Sequence, residues 1–284
     1  MGMGEGGAAS VPVLIVGAGP SGLFAAVELA RRGVRARLIE REPVPLREAR
    51  ATALQPGTLD ILAQAGALDQ VLDSSVHLRC ARVFDAGLRA VGESAFAGVG
   101  APWEFQCSLP QWRTEEILAG RLAELGGTVE RGVSAVSMQD RPGGVQVGLR
   151  QADGTAELIM ASWVIGAGGA HSVTRESMAG ELAGVTYPGT ALVADVAVYC
   201  DLPRDGSALI ATAEGYVLLP PLPGRWSGLA EVVRASTAPG RAGLATAGAI
   251  LVRPDGQIGF RANSTSPAAL AALDGHLGSY LVAV

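Results

Sequence analysis

The residues from Val11 to Glu40, VPVLIVGAGPSGLFAAVELARRGVRARLIE, constrain this chain more than any other stretch, because they read as strand, glycine turn, helix and second strand. Val13 to Val16 form an apolar run of strand length, and Gly17, Gly19 and Gly22 follow it at the spacing G-x-G-x-x-G. In such a βαβ unit each glycine answers a separate requirement. Gly17 permits a tight turn, Gly19 lets the backbone approach a pyrophosphate, and Gly22 seats the helix close on the strand. Pro20 and Ser21 open the helix, whose unpaired N–H groups and dipole favour an anion. Glu40 ends the second strand, followed by Arg41, where a carboxylate can accept both hydroxyls of an adenosine ribose and would repel a 2′-phosphate. The ligand expected is FAD or NAD rather than NADP.

The rest of the composition fits a globular protein. A chain of 284 residues can build one large or two modest domains. Its apolar runs are only strand-length, so no membrane span is expected. The leading MGMGEGGAAS has neither a basic n-region nor an apolar h-region, so residues 1–10 read as a flexible tail and the cytoplasm as the compartment. All 22 basic residues are Arg, which removes lysine chemistry. A net charge of -5 without a basic cluster argues against a nucleic-acid partner. Cys80, Cys107 and Cys200 lie far apart without His pairs, so neither a disulfide framework nor a metal site is expected; they read as small buried hydrophobes.

Beyond Glu40, prolines and charges mark a loop that leads into a helix from about Gln55 to Ala65, with a short further turn over Leu68 to Leu72. Val76 to Ala97 alternates weakly around turn glycines Gly87 and Gly92, and Glu104 to Leu109 reads as a strand. Ile117, Leu118, Leu122 and Leu125 then give helical spacing, with Glu115 and Glu116 in a first turn and Trp103 and Trp112 as core aromatics. Thr128 to Ser137, Val145 to Arg150 and Ala156 to Ile165 read as three strands. Two long strands follow, Gly184 to Val198 and Ala208 to Leu219. Ile250 to Val252 and Gln257 to Phe260 suggest a hairpin, and a terminal helix is expected from about Ser266 to Leu281.

Three segments carry a resemblance. Arg50 lies in R-A-x-x-L-x-P-x-T-L-x-I-L, Gln111 in L-P-Q-x-x-x-E-x-x-L, and Gly166, Gly169, Ser172 and Arg175 in GAGGAHSVTR. Together with the first motif these are similar to segments of the p-hydroxybenzoate hydroxylase-type FAD monooxygenases. The resemblance implies that Gly17, Gly19, Pro20, Ser21, Gly22, Glu40 and Arg41 hold the ADP half of FAD, and that Arg50, Gln111 and Gly169 approach its flavin side. It points to no catalytic residue. Gly168 stands where the family has an Asp that accepts a hydrogen bond from the cofactor. The chain also contains no Gly-Asp dipeptide, the signature of the family's later flavin segment. The phrase LVRPDG resembles the end of the thioredoxin-like domain of the larger polyketide hydroxylases, but without a C-x-x-C pair.

The expected fold is therefore α/β, a Rossmann-type FAD-binding βαβ domain with a mixed substrate-domain sheet, plus a partial thioredoxin-like C-terminal hairpin and helix. The expected division is a tail over 1–10, a monooxygenase-like domain over 11–225 and a thioredoxin-like remnant over 226–284. By resemblance, the function is FAD-dependent hydroxylation of a small phenolic or polyketide substrate with NAD(P)H and O2, with a homodimer among the arrangements it allows. The alternative is a degenerate member without flavin turnover, acting as a polyketide-binding cyclase or accessory protein, which Gly168 favours. A plain NAD dehydrogenase ranks last, since it rests on the first motif alone and the chain has no Lys for a Ser-Tyr-Lys set.

Overall fold

The structure is a computed structural model that describes residues 9–47, 51–98, 102–169, 172–178, 190–196, 200–212, 215–232, 249–252 and 258–262. The chain opens with β1 (Ala9–Val16), α1 (Pro20–Arg31) and β2 (Ala36–Glu40). Next come β3 (Ala53–Leu54), α2 (Pro56–Ala65), α3 (Leu68–Ser74), β4 (Val76–Leu78) and β5 (Cys80–Phe84). They are followed by β6 (Ala90–Ala95), β7 (Gln106–Ser108) and α4 (Gln111–Glu124). After α4 come β8 (Val129–Arg131), β9 (Val133–Arg141), β10 (Gly144–Gln151), β11 (Ala156–Gly166) and α5 (Val173–Ser177). The remaining strands are β12 (Thr190–Val196), β13 (Gly206–Thr212), β14 (Gly215–Leu219), β15 (Pro221–Leu222), β16 (Arg225–Val232), β17 (Ala249–Val252) and β18 (Ile258–Ala262).

Two units divide these elements. The first comprises Met1–Ala51, Gly57–Asp73 and Pro110–Val185. Its six-stranded sheet has the order β8-β2-β1-β11-β10-β9. The four strands from β8 to β11 are parallel, and β10 and β9 extend them as antiparallel edges. This is a Rossmann-type βαβ arrangement. Strand β1 is apolar along its second half because both faces of the sheet are covered there: Leu14 and Ile15 are fully buried, as are Leu38 and Ile39 on β2. One face packs Leu14 and Ile39 with Val147, Leu149, Ile159 and Ala161. Helices α1 and α4 pack on each other and bury Leu23, Ala26 and Val27 from one, and Ile117, Leu118 and Leu122 from the other. Each such leucine, isoleucine or valine removed from water contributes about 1.5–3 kcal/mol.

The second unit comprises Thr52–Pro56, Ser74–Leu109 and Thr186–Val284. Its mixed sheet runs β12-β16-β14-β13-β5-β6, with β15 paired to β16, and β13 lies parallel to β5. Phe84, Ala208 and Leu219 are buried against Ile210 and Val217 in its core. A small antiparallel sheet, β3-β7-β4, and the two-stranded β17-β18 complete the unit. The division drawn from sequence at residue 225 falls inside β16.

Several expectations need correction. Thr128 to Ser137 is not one strand: the chain turns at Gly132 (φ 72°), so that β8 pairs with β2 and β9 with β10. Ala208 to Leu219 is likewise two strands, β13 and β14, paired antiparallel from Ala208↔Leu219 to Thr212↔Gly215. Gly92 is no turn residue but sits within β6, opposite Val83. Helix α4 begins at Gln111, which moves Glu115 and Glu116 beyond its first turn. Trp103 and Trp112 are only half-buried. Cys80 and Cys107 are buried as expected, and burial pushes both thiols up in pKa, whereas Cys200 is partly exposed. The hairpin strands near the C-terminus are present as β17 and β18, while the expected terminal helix lies outside the described residues.

Candidate functional site

Strand order reverses between β1 and β11. From β1 the chain proceeds outward through β2 to β8, and it returns through β9 and β10 to β11 on the other side of β1. Ligands of open α/β sheets bind outside the carboxyl ends of strands at such a reversal. Both glycine-rich motifs are at this place. Val16 pairs with Gly166, and the Ala167 N–H donates to the Val16 carbonyl at 2.8 Å.

The first turn is built by close backbone approach. Gly17 has φ 104°, and a Cβ added to it would lie 2.5 Å from the Ala167 carbonyl oxygen. A Cβ on Gly22 would lie 1.8 Å from the Gly17 carbonyl oxygen. Both positions therefore exclude any side chain. Gly19 differs: its φ is -69°, and a Cβ there would meet nothing within 4 Å. The space beside Gly19 is open at the start of α1, where Gly19 is the N-cap, Pro20 follows, Ser21 is exposed and no side chain caps the helix. Open room and uncapped N–H groups are what a pyrophosphate requires, so the ADP half of a dinucleotide fits the residues present.

Glu40 is placed at the end of β2 as the spacing predicts, and its carboxylate is already engaged. Oε2 accepts from the Ala18 N–H at 2.8 Å, and Oε1 accepts from the Glu42 N–H at 3.1 Å. Nothing in the motif spacing signalled these backbone bonds. Arg41 is exposed and pairs with Glu42 at 3.3 Å. Arg50 lies outside the described residues.

At the second motif, Ser172 Oγ caps α5 by accepting from the Arg175 N–H at 3.3 Å. The Arg175 guanidinium donates to the Gly169 carbonyl at 3.1 Å, and Gly169 has φ 65°. A recess of about 360 Å³ opens here, lined by Val164, Gly166, Ser172, Thr174, Arg175 and Met178. Gly168 contributes no side-chain acceptor, and a Cβ there would lie 3.3 Å from the backbone Cα of Ser172, which would have to yield by a few tenths of an ångström.

Gln111 is the first residue of α4, and its side-chain amide donates to Glu115 at 2.8 Å. Next to it, the Trp112 ring lies under the Arg47 guanidinium at 5.4 Å. One charged group escaped notice in the sequence. Arg37, inside β2, donates to both Glu130 (2.8 Å) and Glu157 (2.7 Å), which raises its own pKa and lowers that of Glu157. A lone arginine in the strand ARLIE was the available signal, since a charge facing a sheet needs a partner. Among the described residues no group of three His, Cys, Asp or Glu could hold a metal, and no helix is long and apolar enough to cross a membrane.

Comparison with known proteins fits this geometry. Residues 10–225 match the family profile described as FAD binding domain. The chain is 39% identical over 225 residues to the 6-methylpretetramide 4-monooxygenase of Streptomyces rimosus, an alignment that covers 75% of this chain and 39% of that protein. It is 34% identical over 185 residues to the rifampicin monooxygenase of Streptomyces venezuelae, covering 62% and 34%. The fold is similar to that of p-nitrophenol 4-monooxygenase PnpA from Pseudomonas putida DLL-E4, with TM-score 0.73 at 20% identity over 80% of this chain and 59% of that one. It is also similar to the flavin-dependent monooxygenase PieE solved with FAD and substrate, with TM-score 0.69 at 22% identity over 95% and 47%. The chain spans about two fifths of the length of the first two curated relatives it matches.

Proposed function

This chain belongs to the FAD-binding-domain family, and from that premise we propose that it binds FAD through the turn at Gly17, Gly19 and Gly22 and serves the hydroxylation of a small aromatic or polyketide substrate, with NAD(P)H as electron donor. The observation that carries the reading is the open, uncapped start of α1 beside Gly19, backed by the carboxylate of Glu40. Bound FAD supplies the electron transfer and oxygen chemistry. The chain's own residues bind and orient. Backbone N–H groups at Gly19, Ser21 and Gly22 face the pyrophosphate, and Pro20 presets the helix start. Glu40 accepts from the ribose, while Arg41 lies beside it. Arg50, Gln111 and Gly169 serve the flavin side.

A second reading is favoured by Gly168, which offers the cofactor no side-chain acceptor. In that reading the chain keeps the ADP site and has lost flavin turnover, acting as a polyketide-binding cyclase or accessory protein.

One experiment separates these outcomes. Purified protein titrated with FAD should quench flavin fluorescence with saturation at or below tens of micromolar. No quenching in that range overturns the FAD reading. Binding without NAD(P)H oxidation in the presence of phenolic or polyketide substrates selects the second reading over the first.

A further inference from the structure

The end of β2 grips the glycine turn at two consecutive points. Gly17 N–H donates to the Ile39 carbonyl at 2.9 Å, and Ala18 N–H donates to Glu40 Oε2 at 2.8 Å. The other carboxylate oxygen holds the Glu42 N–H at 3.1 Å, so one side chain ties the loop after β1 to the loop after β2. Ala18 is buried, 3% exposed, which shields its amide from water. A buried N–H without a partner carries the desolvation penalty of the unpaired group, so the turn depends on Glu40 for its shape before any ligand arrives.

We infer that Glu40 is a positioning residue for the phosphate site as well as a ribose acceptor: by holding Ala18 N–H it fixes the Gly17–Gly19 turn in the shape that receives the pyrophosphate. This rests on the dinucleotide reading above. Because Ala18 N–H is already bonded and Pro20 has none, the donors left to the phosphates at this end are those of Gly19, Ser21 and Gly22. A carboxylate so near an anion site is electrostatically unfavourable for the anion. The arrangement is sound only if holding the turn matters more than that repulsion. Glutamine cannot substitute: its amide oxygen can accept one of the two N–H groups, but its NH2 then faces the other, donor against donor.

The test uses a ligand without ribose hydroxyls. ADP and 2′,3′-dideoxy-ADP are titrated by calorimetry into the wild-type protein, Glu40→Gln and Glu40→Ala. Hydrogen exchange at Ala18 and the thermal midpoint are measured in parallel, and titrations are run well below every midpoint. The inference expects both variants to bind the dideoxy ligand about tenfold more weakly than wild type, with faster exchange at Ala18. The alanine variant, which brings no opposing donor, guards against a folding defect particular to the glutamine. Variants that lose ADP affinity but bind the dideoxy ligand as wild type does overturn the inference and leave Glu40 as a ribose acceptor alone. Variants that bind both ligands as wild type does also overturn it. A wild-type protein that binds neither ligand overturns the dinucleotide reading itself, and the inference with it.

Discussion

Gly22 lies so close to Gly17 that a Cβ on the former would stand 1.8 Å from the carbonyl oxygen of the latter, a backbone atom with no side-chain freedom to move aside. Gly19, three residues before Gly22 in the same motif, has no neighbour within 4 Å of the equivalent point. The three glycines are thus required for two different reasons, one internal to the fold and one directed at the ligand.

Gly22→Ala and Gly19→Ala should therefore fail differently. The first forces α1 away from the turn and should cost about 1–3 kcal/mol or more in stability, read from chemical denaturation. The second should leave stability within about 0.5 kcal/mol and weaken FAD binding at least about tenfold, because the new methyl takes space a phosphate needs. Equal stability of the two variants would contradict the assignment.

Gly168→Asp should be tolerated and should tighten flavin binding. Its backbone is not left-handed, and the nearest atom to a new Cβ is Ser172 Cα at 3.3 Å, which must yield by a few tenths of an ångström. A restored charge-assisted hydrogen bond contributes about 1.5–3 kcal/mol, or roughly ten- to a hundredfold in affinity. Fluorescence titration of FAD against the variant and the parent measures it. An unchanged affinity would mean that the cofactor hydroxyl does not reach this turn.

Acid should unfold the first unit partly through Glu157. Arg37 holds that carboxyl below its usual value of 4.5, so the unfolded chain takes up the proton more readily than the folded one. The contribution is whole above that usual value and is lost as the pH falls through the lowered one. Glu157→Gln should flatten the decline of the thermal midpoint between about pH 5 and pH 2 relative to wild type. An identical decline in the two proteins would rule this group out.

Thr114→Val should stabilise the protein. Thr114 is 4% exposed on α4, and its hydroxyl finds no hydrogen-bond partner among the described residues. Replacing the orphan hydroxyl with a methyl of similar size removes a desolvation cost of about 1–3 kcal/mol, which should appear as a higher denaturation midpoint at unchanged slope. Destabilisation would reveal that the hydroxyl is satisfied in solution.

The βαβ unit was legible in sequence because its requirements are local. An apolar run, three glycines at fixed offsets and an acidic strand end all fall within Val11 to Glu40. The bonds of Glu40 to Ala18 and Glu42 were not legible, since they depend on how two loops meet. Thr128 to Ser137 misled because apolar alternation continues across Gly132 while the pairing partner changes from β2 to β10. Gly92 misled in the opposite direction, since a glycine paired within a strand has the same letter as one in a turn. The match of Gly166 and Ser172 to a second motif was legible only by resemblance, and its placement against Gly17 follows from sheet order, which no single segment encodes.

The contact of Gly17 with Ala167 has a consequence for when the site exists at all. Its two halves are separated by most of the first unit's length, and they meet only after β11 has been inserted beside β1. A nascent chain released as far as α4 carries the whole G-x-G-x-x-G signature yet lacks the wall against which Gly17 turns. The complete site, with both glycine motifs side by side, then waits on translation through residue 167, so a nucleotide bound across it stabilises a late stage of folding.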